Sequence, residues 1–255
     1  MTLSGRIVLI TGASAGIGEA CARAFANEGA RLVLAARRVG RLEELAEKLR
    51  ARTDVLLLEL DVRDAGAVAE RIGGLPAEWA DVDVLVNNAG LGRGLDKLQE
   101  GSVPDWDEMV DTNVKGLLYV TRAIVPGMVA RGRGHVINLG SVAGHEVYPG
   151  GAVYCATKHA VRAITQGLRL DVVGSGVRVS TVDPGMVETE FSVVRFHGDQ
   201  DRAKNVYRGL DALTPDDIAE TIVWIASRPA HVCIDEVIIK PTDQASATVV
   251  HRRPA

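Results

Sequence analysis

The chain predicts an α/β fold, a doubly wound parallel sheet of about seven strands in a single domain over 1–255. Three observations carry that prediction. Short apolar runs rich in β-branched residues alternate with segments of helical period. A glycine-rich turn joins the first strand directly to the first helix. Hydrophobic residues make up 47% of the chain but aromatics only 4%, which implies a core of Ala, Val, Leu and Ile, the mix that helix-covered parallel sheets use. No linker-like or low-complexity stretch divides the 255 residues.

The elements follow in order. A strand at 7–10 leads into a helix at 18–28, a second strand at 31–35 into a helix at 39–51, and a third at 54–59 into a helix at 65–72. Such βαβ repetition specifies parallel strands, right-handed crossovers and helices on both faces. A fourth strand at 84–86 precedes a helix at about 106–131. The fifth at 135–138 precedes a long helix from about 151 to 173, the sixth covers 177–182 and the last 236–239. Segment 186–210, after the sixth strand, is expected to fold over a substrate as a lid.

Composition excludes several function classes. A net charge of −4, from 29 basic and 33 acidic residues spread along the chain, lacks the footprint of a nucleic-acid binder. No apolar run reaches the ~20 residues of a membrane span, and the first strand begins too early for a signal peptide, so a cytoplasmic protein is expected. Cys21, Cys155 and Cys233 form no CxxC and cannot all pair, which fits free thiols in a reducing compartment. The six histidines show no ligand spacing, so no metal site is predicted.

In the turn Thr11-Gly12-Ala13-Ser14-Ala15-Gly16-Ile17-Gly18, Gly12 permits a tight bend, and Gly16 and Gly18 allow close backbone approach and helix packing. N–H groups of the helix's first turn would face a phosphate. Alone, such a cluster fits a plain strand-to-helix turn. Its company is what counts, because the other candidates fall at strand carboxyl ends, where ligands bind in a Rossmann-type sheet. Arg37 and Arg38 end the second strand where NAD binders commonly carry a carboxylate, and paired arginines suit the 2′-phosphate of NADP. Asp61, beside Val62, suits the adenine amino group or caps the next helix. Asn88, Ala89 and Gly90 end the fourth strand with residues small enough to lie against a ribose.

The chemistry is read from Ser141, Tyr154 and Lys158. Tyr154 and Lys158 stand one helical turn apart on one face. A free tyrosine has a pKa of about 10, and an adjacent ammonium favours the phenolate a base requires. Ser141, just after the fifth strand, is placed to hydrogen-bond a substrate oxygen.

These residues, with Asn113 and Pro184-Gly185, resemble the short-chain dehydrogenases/reductases along essentially the whole chain. The resemblance implies that Tyr154 is the general acid/base, that Lys158 lowers its pKa and binds the nicotinamide ribose, and that Asn113 holds a water joining Lys158 to solvent. It implies that Pro184, Gly185, Val187 and Thr189 bracket the nicotinamide. Ala15 stands where some NADP users of the family carry a basic residue, so the NADP(H) expectation rests on Arg37 and Arg38. The stretch 184–196, Leu213-Thr214-Pro215-Asp216-Asp217, Pro229-Ala230-His231-Val232 and Ile239-Lys240-Pro241-Thr242-Asp243-Gln244 resemble the NADP-dependent 3-hydroxy acid (serine or allo-threonine) dehydrogenases. That likeness implies a homotetramer acting on a small 3-hydroxy acid. The alternatives are a reductase of uncharged small ketones or aldehydes and a non-catalytic NADP-binding sensor.

An acidic substrate needs a cationic partner. Arg195 in the lid is a candidate, unless it pairs with Glu188, Glu190 or Asp199. The tail His251-Arg252-Arg253 is another, reaching a neighbouring subunit or simply fraying. Glu146, His145 and Met186 are pocket candidates, as are Tyr148 and Phe191, each of which also fits water or core.

Overall fold

Strand β1 (Ile7–Thr11) is buried along its whole length, as a central parallel strand flanked on both sides must be. In the computed structural model, which describes residues 2–254, it pairs with β2 (Arg31–Ala36) on one side and β4 (Val84–Asn87) on the other, both parallel. Adding β3 (Val55–Glu59), β5 (Gly134–Leu139), β6 (Val177–Pro184) and β7 (Glu236–Ile239) gives one seven-stranded sheet in the order β3-β2-β1-β4-β5-β6-β7. The order reverses between β1 and β4, so a crevice opens at their carboxyl ends.

Alternation along the strands feeds two cores. Val8, Ile10, Leu32 and Leu34 face one cluster with Phe25 of α1 (Gly16–Asn27), Leu42 of α2 (Val39–Leu49) and Ile218 and Ile222 of α10 (Pro215–Ala226). Leu9, Val33, Leu85 and Val136 face the other, with Val68 and Ile72 of α3 (Ala65–Gly73), Trp79 of α4 (Ala77–Ala80), and Val120, Ile124 and Met128 of α6 (Leu117–Ala130). Each such aliphatic side chain contributes about 1.5–3 kcal/mol on burial. Period-two patterning thus assigns successive residues of one strand to opposite layers.

Most element ends move by one to three residues from expectation. The helix expected at 106–131 differs more. It begins at Val103 as α5 (Val103–Val110), widens into a π-helix over Asp111–Gly116 and resumes as α6. Ser102 caps α5 by accepting from the Asp105 N–H. The π segment carries Asn113 at its centre, and such single-turn widenings are frequent at functional sites. Helix α10, absent from the sequence reading, was signalled by a reciprocal capping box between Thr214 and Asp217 with Pro215 at the first helical position.

Long helix α7 (Ala152–Asp171) carries Tyr154 and Lys158 beneath β5 and β6. The segment after β6 contains two short helices, α8 (Phe191–Arg195) and α9 (Gln200–Tyr207). It is docked rather than loose: Gly94 N–H donates to the Arg195 carbonyl at 2.9 Å, and the Tyr207 hydroxyl to the Val187 carbonyl at 2.9 Å.

Candidate active site

Thr11 at the end of β1 organises the crevice. Its hydroxyl oxygen accepts from the N–H groups of Asn88 and Ala89, each at 3.0 Å, and the Asn88 amide returns a bond to the Thr11 carbonyl at 2.9 Å. The glycine loop is thereby tied to the end of β4. Gly12 and Gly16 adopt φ of +66° and +56°, the left-handed region glycine favours. Gly18 serves packing: a Cβ there would lie 2.4 Å from the Gly12 carbonyl oxygen and 2.5 Å from the Asn88 amide nitrogen. Ala15, the N-cap of α1, makes no side-chain capping bond, so the first-turn N–H groups have no capping side chain and suit an anion.

One continuous cavity of about 540 Å³ runs from Arg37 and Arg38 past the glycine loop to Tyr154 and Arg195. Of the residues the sequence nominates, Ser14, Ile17, Asp61, Val62, Asn88, Ala89, Gly90, Ser141, Lys158, Pro184, Gly185, Met186, Val187 and Thr189 also line it. Its length, glycine floor and cationic end fit a dinucleotide with an additional phosphate.

The cationic end is built differently from expectation. Arg37 lies 3.9 Å from Asp61, while Arg38 donates to the Ser14 hydroxyl at 3.2 Å and to Glu190 at 3.1 Å. Asp61 does not cap a helix. Asp64 does, accepting from the Ala67 N–H at 2.9 Å, because it stands immediately before α3. The Asp61 carboxylate is gripped by the Arg63 guanidinium down to 2.6 Å, which holds its pKa below the usual range.

At the other end, Lys158 is 7% exposed and donates to the Leu139 carbonyl at 2.8 Å. Burial lowers its pKa to about 8, with the carboxylate of Asp183 opposing the fall. Its nitrogen lies over the Tyr154 ring, 5.9 Å from the centroid. The expected lowering of the Tyr154 pKa is absent in the free chain. Burial and the neighbouring Tyr148 push the phenol well above its ordinary value, against opposing pulls from Arg195 and the Ser141 hydroxyl. Ser141 accepts from the Ala143 N–H at 3.1 Å, which fixes its turn.

The Asn113 side chain is fully engaged. Its two amide hydrogens go to the Leu91 carbonyl (2.8 Å) and the Thr157 hydroxyl (3.0 Å), and its oxygen accepts from the Leu91 N–H (2.8 Å). The side chain thereby clamps the loop after β4 to α7. Glu146 does not line the cavity; its carboxylate accepts from the N–H of Ala247, which does, at 2.8 Å. His145 pairs with Asp183 at 2.7 Å. With Glu236 these form a group whose potential ligand atoms lie within 4.8 Å of one another, which linear spacing did not foretell. Arg162 already holds Glu236 at 2.9 Å.

Arg195 pairs with none of the three acids proposed for it. Its guanidinium donates to the Tyr148 hydroxyl at 3.0 Å and lies 4.9 Å from the Phe191 ring centroid, while its buried Nε has no hydrogen-bond partner. The tail is neither frayed nor at the pocket. Arg253 N–H donates to the Gly209 carbonyl at 2.8 Å, and Arg252 donates to the carbonyls of Arg208 and Val206. Gln244, quoted above only as the end of a stretch that carries the resemblance, lines the cavity and accepts from the Met186 N–H at 2.8 Å.

Comparison with known proteins agrees with this geometry. The family model described as short chain dehydrogenase matches residues 6–199. The chain is 50% identical over 248 residues to the NADP-dependent 3-hydroxy acid dehydrogenase YdfG of Salmonella typhi, covering 96% of this chain and 99% of that one. It is 48% identical over 248 residues to sulfoacetaldehyde reductase 2 of Chromohalobacter salexigens, covering 96% and 98%. A serine dehydrogenase solved in its closed form with NADP+ superimposes with a TM-score of 0.91 at 47% identity, covering 97% of this chain and all of that one. Glycine loop, Ser141, Tyr154 and Lys158 around one cleft, together with these matches, establish that the chain belongs to the short-chain dehydrogenase family.

Proposed function

We propose that the protein transfers hydride between NADP(H) and the hydroxyl or carbonyl of a small 3-hydroxy acid such as serine or allo-threonine. The observation that carries the substrate class is Arg195, a cation whose guanidinium carbon lies 4.8 Å from the Tyr154 ring centroid and whose buried Nε has no hydrogen-bond partner. A carboxylate beside it would gain a charge-assisted hydrogen bond, and a neutral substrate would leave that nitrogen unsatisfied. Relatives named for 3-hydroxy acids and for sulfoacetaldehyde, both anionic, support the same reading.

NADP(H) supplies or accepts the hydride at the nicotinamide end of the cleft. Around it, the N–H groups of Ser14, Gly16 and Ile17 would hold the pyrophosphate, with Gly12 and Gly18 giving the loop its shape. Arg37 and Arg38 would grip the 2′-phosphate, Asp61 and Val62 flank the adenine, and Asn88, Ala89 and Gly90 lie along the ribose. Pro184, Gly185, Val187 and Thr189 would bracket the nicotinamide, and Lys158 and Tyr154 hold its ribose.

In the reducing direction Tyr154 gives its phenolic proton to the substrate oxygen while Ser141 donates a hydrogen bond to that oxygen. In oxidation the proton moves the other way. Lys158, buried and still cationic below about pH 8, offsets the phenolate charge. Asn113 keeps α7 and the loop after β4 in register. Segment 186–210, with Met186 beside the pocket, acts as the lid.

Cys21 and Cys155, both buried, and the exposed Cys233 are unpaired, which supports a cytoplasmic location. The exposed apolar side chains Leu118 on α6, Leu170 on α7 and Trp224 on α10 support burial between copies in a homotetramer, which light scattering would test. Initial rates with NADP and NAD on L- and D-serine, L-allo-threonine, 3-hydroxyisobutyrate and an uncharged alcohol of similar size test the reaction. Turnover of the acids with NADP is expected, and turnover of the alcohol alone would overturn the assignment.

A further inference from the structure

Glu190 belongs to the lid but is held by the opposite wall of the cleft. It follows Thr189 and immediately precedes α8, to which its side chain makes no capping bond. Its carboxylate accepts from Arg38 at 3.1 Å through one oxygen and from Arg41 at 2.8 Å through each oxygen. Arg38 simultaneously donates to the Ser14 hydroxyl in the glycine loop at 3.2 Å. The pairing therefore ties the floor of the phosphate site to the start of the lid, beside the point where Thr189 approaches Gly16: a Cβ on that glycine would lie 3.4 Å from the Thr189 Cβ.

A guanidinium recognises carboxylate and phosphate with the same fork of donors. With Ser14 and Glu190 both satisfied, two of the directions in which Arg38 can donate are already taken. A phosphate brought to the same arginine would meet a carboxylate a few ångströms away, and like charges at that separation repel.

We propose that Glu190 is an internal competitor for the 2′-phosphate site, occupying Arg38 and Arg41 in the free protein and yielding them when a 2′-phosphorylated nucleotide binds. This inference rests on the NADP reading above. Glu190 then sets the margin by which the protein prefers 2′-phosphorylated over unphosphorylated nucleotides. It also links occupancy of that site to α8, which carries Phe191 and Arg195. Although burial alone would raise its pKa, Arg41 and Arg38 hold Glu190 below the usual carboxylate range, so the competitor is charged at neutral pH. All three side chains are about half exposed, at 46–47%, so the competition is worth a few-fold rather than orders of magnitude.

The test is calorimetric binding of 2′,5′-ADP and 5′-AMP to the full chain, with wild type compared with Glu190→Gln. Wild type is expected to favour 2′,5′-ADP. Glu190→Gln should bind 2′,5′-ADP about two- to tenfold tighter while 5′-AMP changes by less than about twofold. In an Arg38→Ala background the gain should shrink, because the contested guanidinium is gone. Unchanged or weaker binding of 2′,5′-ADP by Glu190→Gln would overturn the proposal, as would equal tightening of both ligands. If wild type does not distinguish the two ligands, the cofactor reading fails and takes this inference with it. If wild type does distinguish them and Glu190→Gln is silent, only this inference falls.

Discussion

The guanidinium of Arg195 lies over the ring of Tyr154, 4.8 Å from its centroid, so a residue 41 positions further along the chain reaches that ring. The same group touches Tyr148 and Phe191, which makes the substrate end of the cleft both cationic and aromatic. Arg195→Leu is expected to raise KM for a 3-hydroxy acid about 10- to 100-fold, the value of a charge-assisted hydrogen bond. Turnover of an uncharged alcohol should change little. Equal loss on both substrates in steady-state assays would remove Arg195 from carboxylate recognition.

Tyr154→Phe removes the phenolic proton and leaves the ring packed edge-on against Phe191 at 5.5 Å. A fall in kcat of about 10²- to 10⁴-fold is expected, with nucleotide binding retained. Turnover near wild type would dismiss Tyr154 as the acid/base.

Lys158 carries a stability cost with a definite pH dependence. Its pKa in the folded chain is about 8, below the ordinary 10.5. Between those values the unfolded chain binds more protons, so stability rises with pH there, and this contribution is lost as pH falls through about 8. Lys158→Met should therefore raise Tm most at pH 7, with the gain shrinking toward pH 10.5, while activity is lost. The upper bound at pH 7 is on the order of 3 kcal/mol. A Tm difference independent of pH, in paired thermal melts, would contradict the buried ammonium. In wild type, kcat/KM for carbonyl reduction should fall above about pH 8 as that charge is lost.

Arg37 is the freer of the two arginines at the end of β2, 53% exposed and only loosely paired with Asp61. Arg37→Ala should weaken NADPH binding about 10-fold and leave NADH within about twofold. Fluorescence titration with both nucleotides would show whether the preference survives.

Gly18→Ala places a methyl group 2.4 Å from the Gly12 carbonyl oxygen, a contact backbone cannot relieve cheaply. A loss of about 1–3 kcal/mol in urea unfolding is expected, along with weaker binding of either dinucleotide.

Much of the architecture was legible because it is local. β-Branched runs and helical periods announced the strands and the principal crossover helices, and Tyr154 and Lys158 advertised a shared face through their spacing alone. What escaped was either too short or too distant. The π-helix around Asn113 lasts six residues, too few for its period to separate from 3.6. Gln244 and Glu190 are ordinary polar residues in sequence, and their roles arise from partners 58 and 152 positions away.

The amino-acid sequence by itself determined the parallel α/β class, the glycine loop and the Ser141, Tyr154 and Lys158 set, because each is encoded in a periodicity or a spacing within one or two elements. Tertiary structure alone decided which charges were already spent. Arg38 and Arg41 went to Glu190, Glu146 to the Ala247 backbone, Arg252 to the carbonyls of Arg208 and Val206 and Arg253 to Asp243, while Arg195 kept a buried nitrogen unpaired. The reason is physical: a side chain's charge belongs to its residue type, but its partner depends on which elements packing brings within a few ångströms.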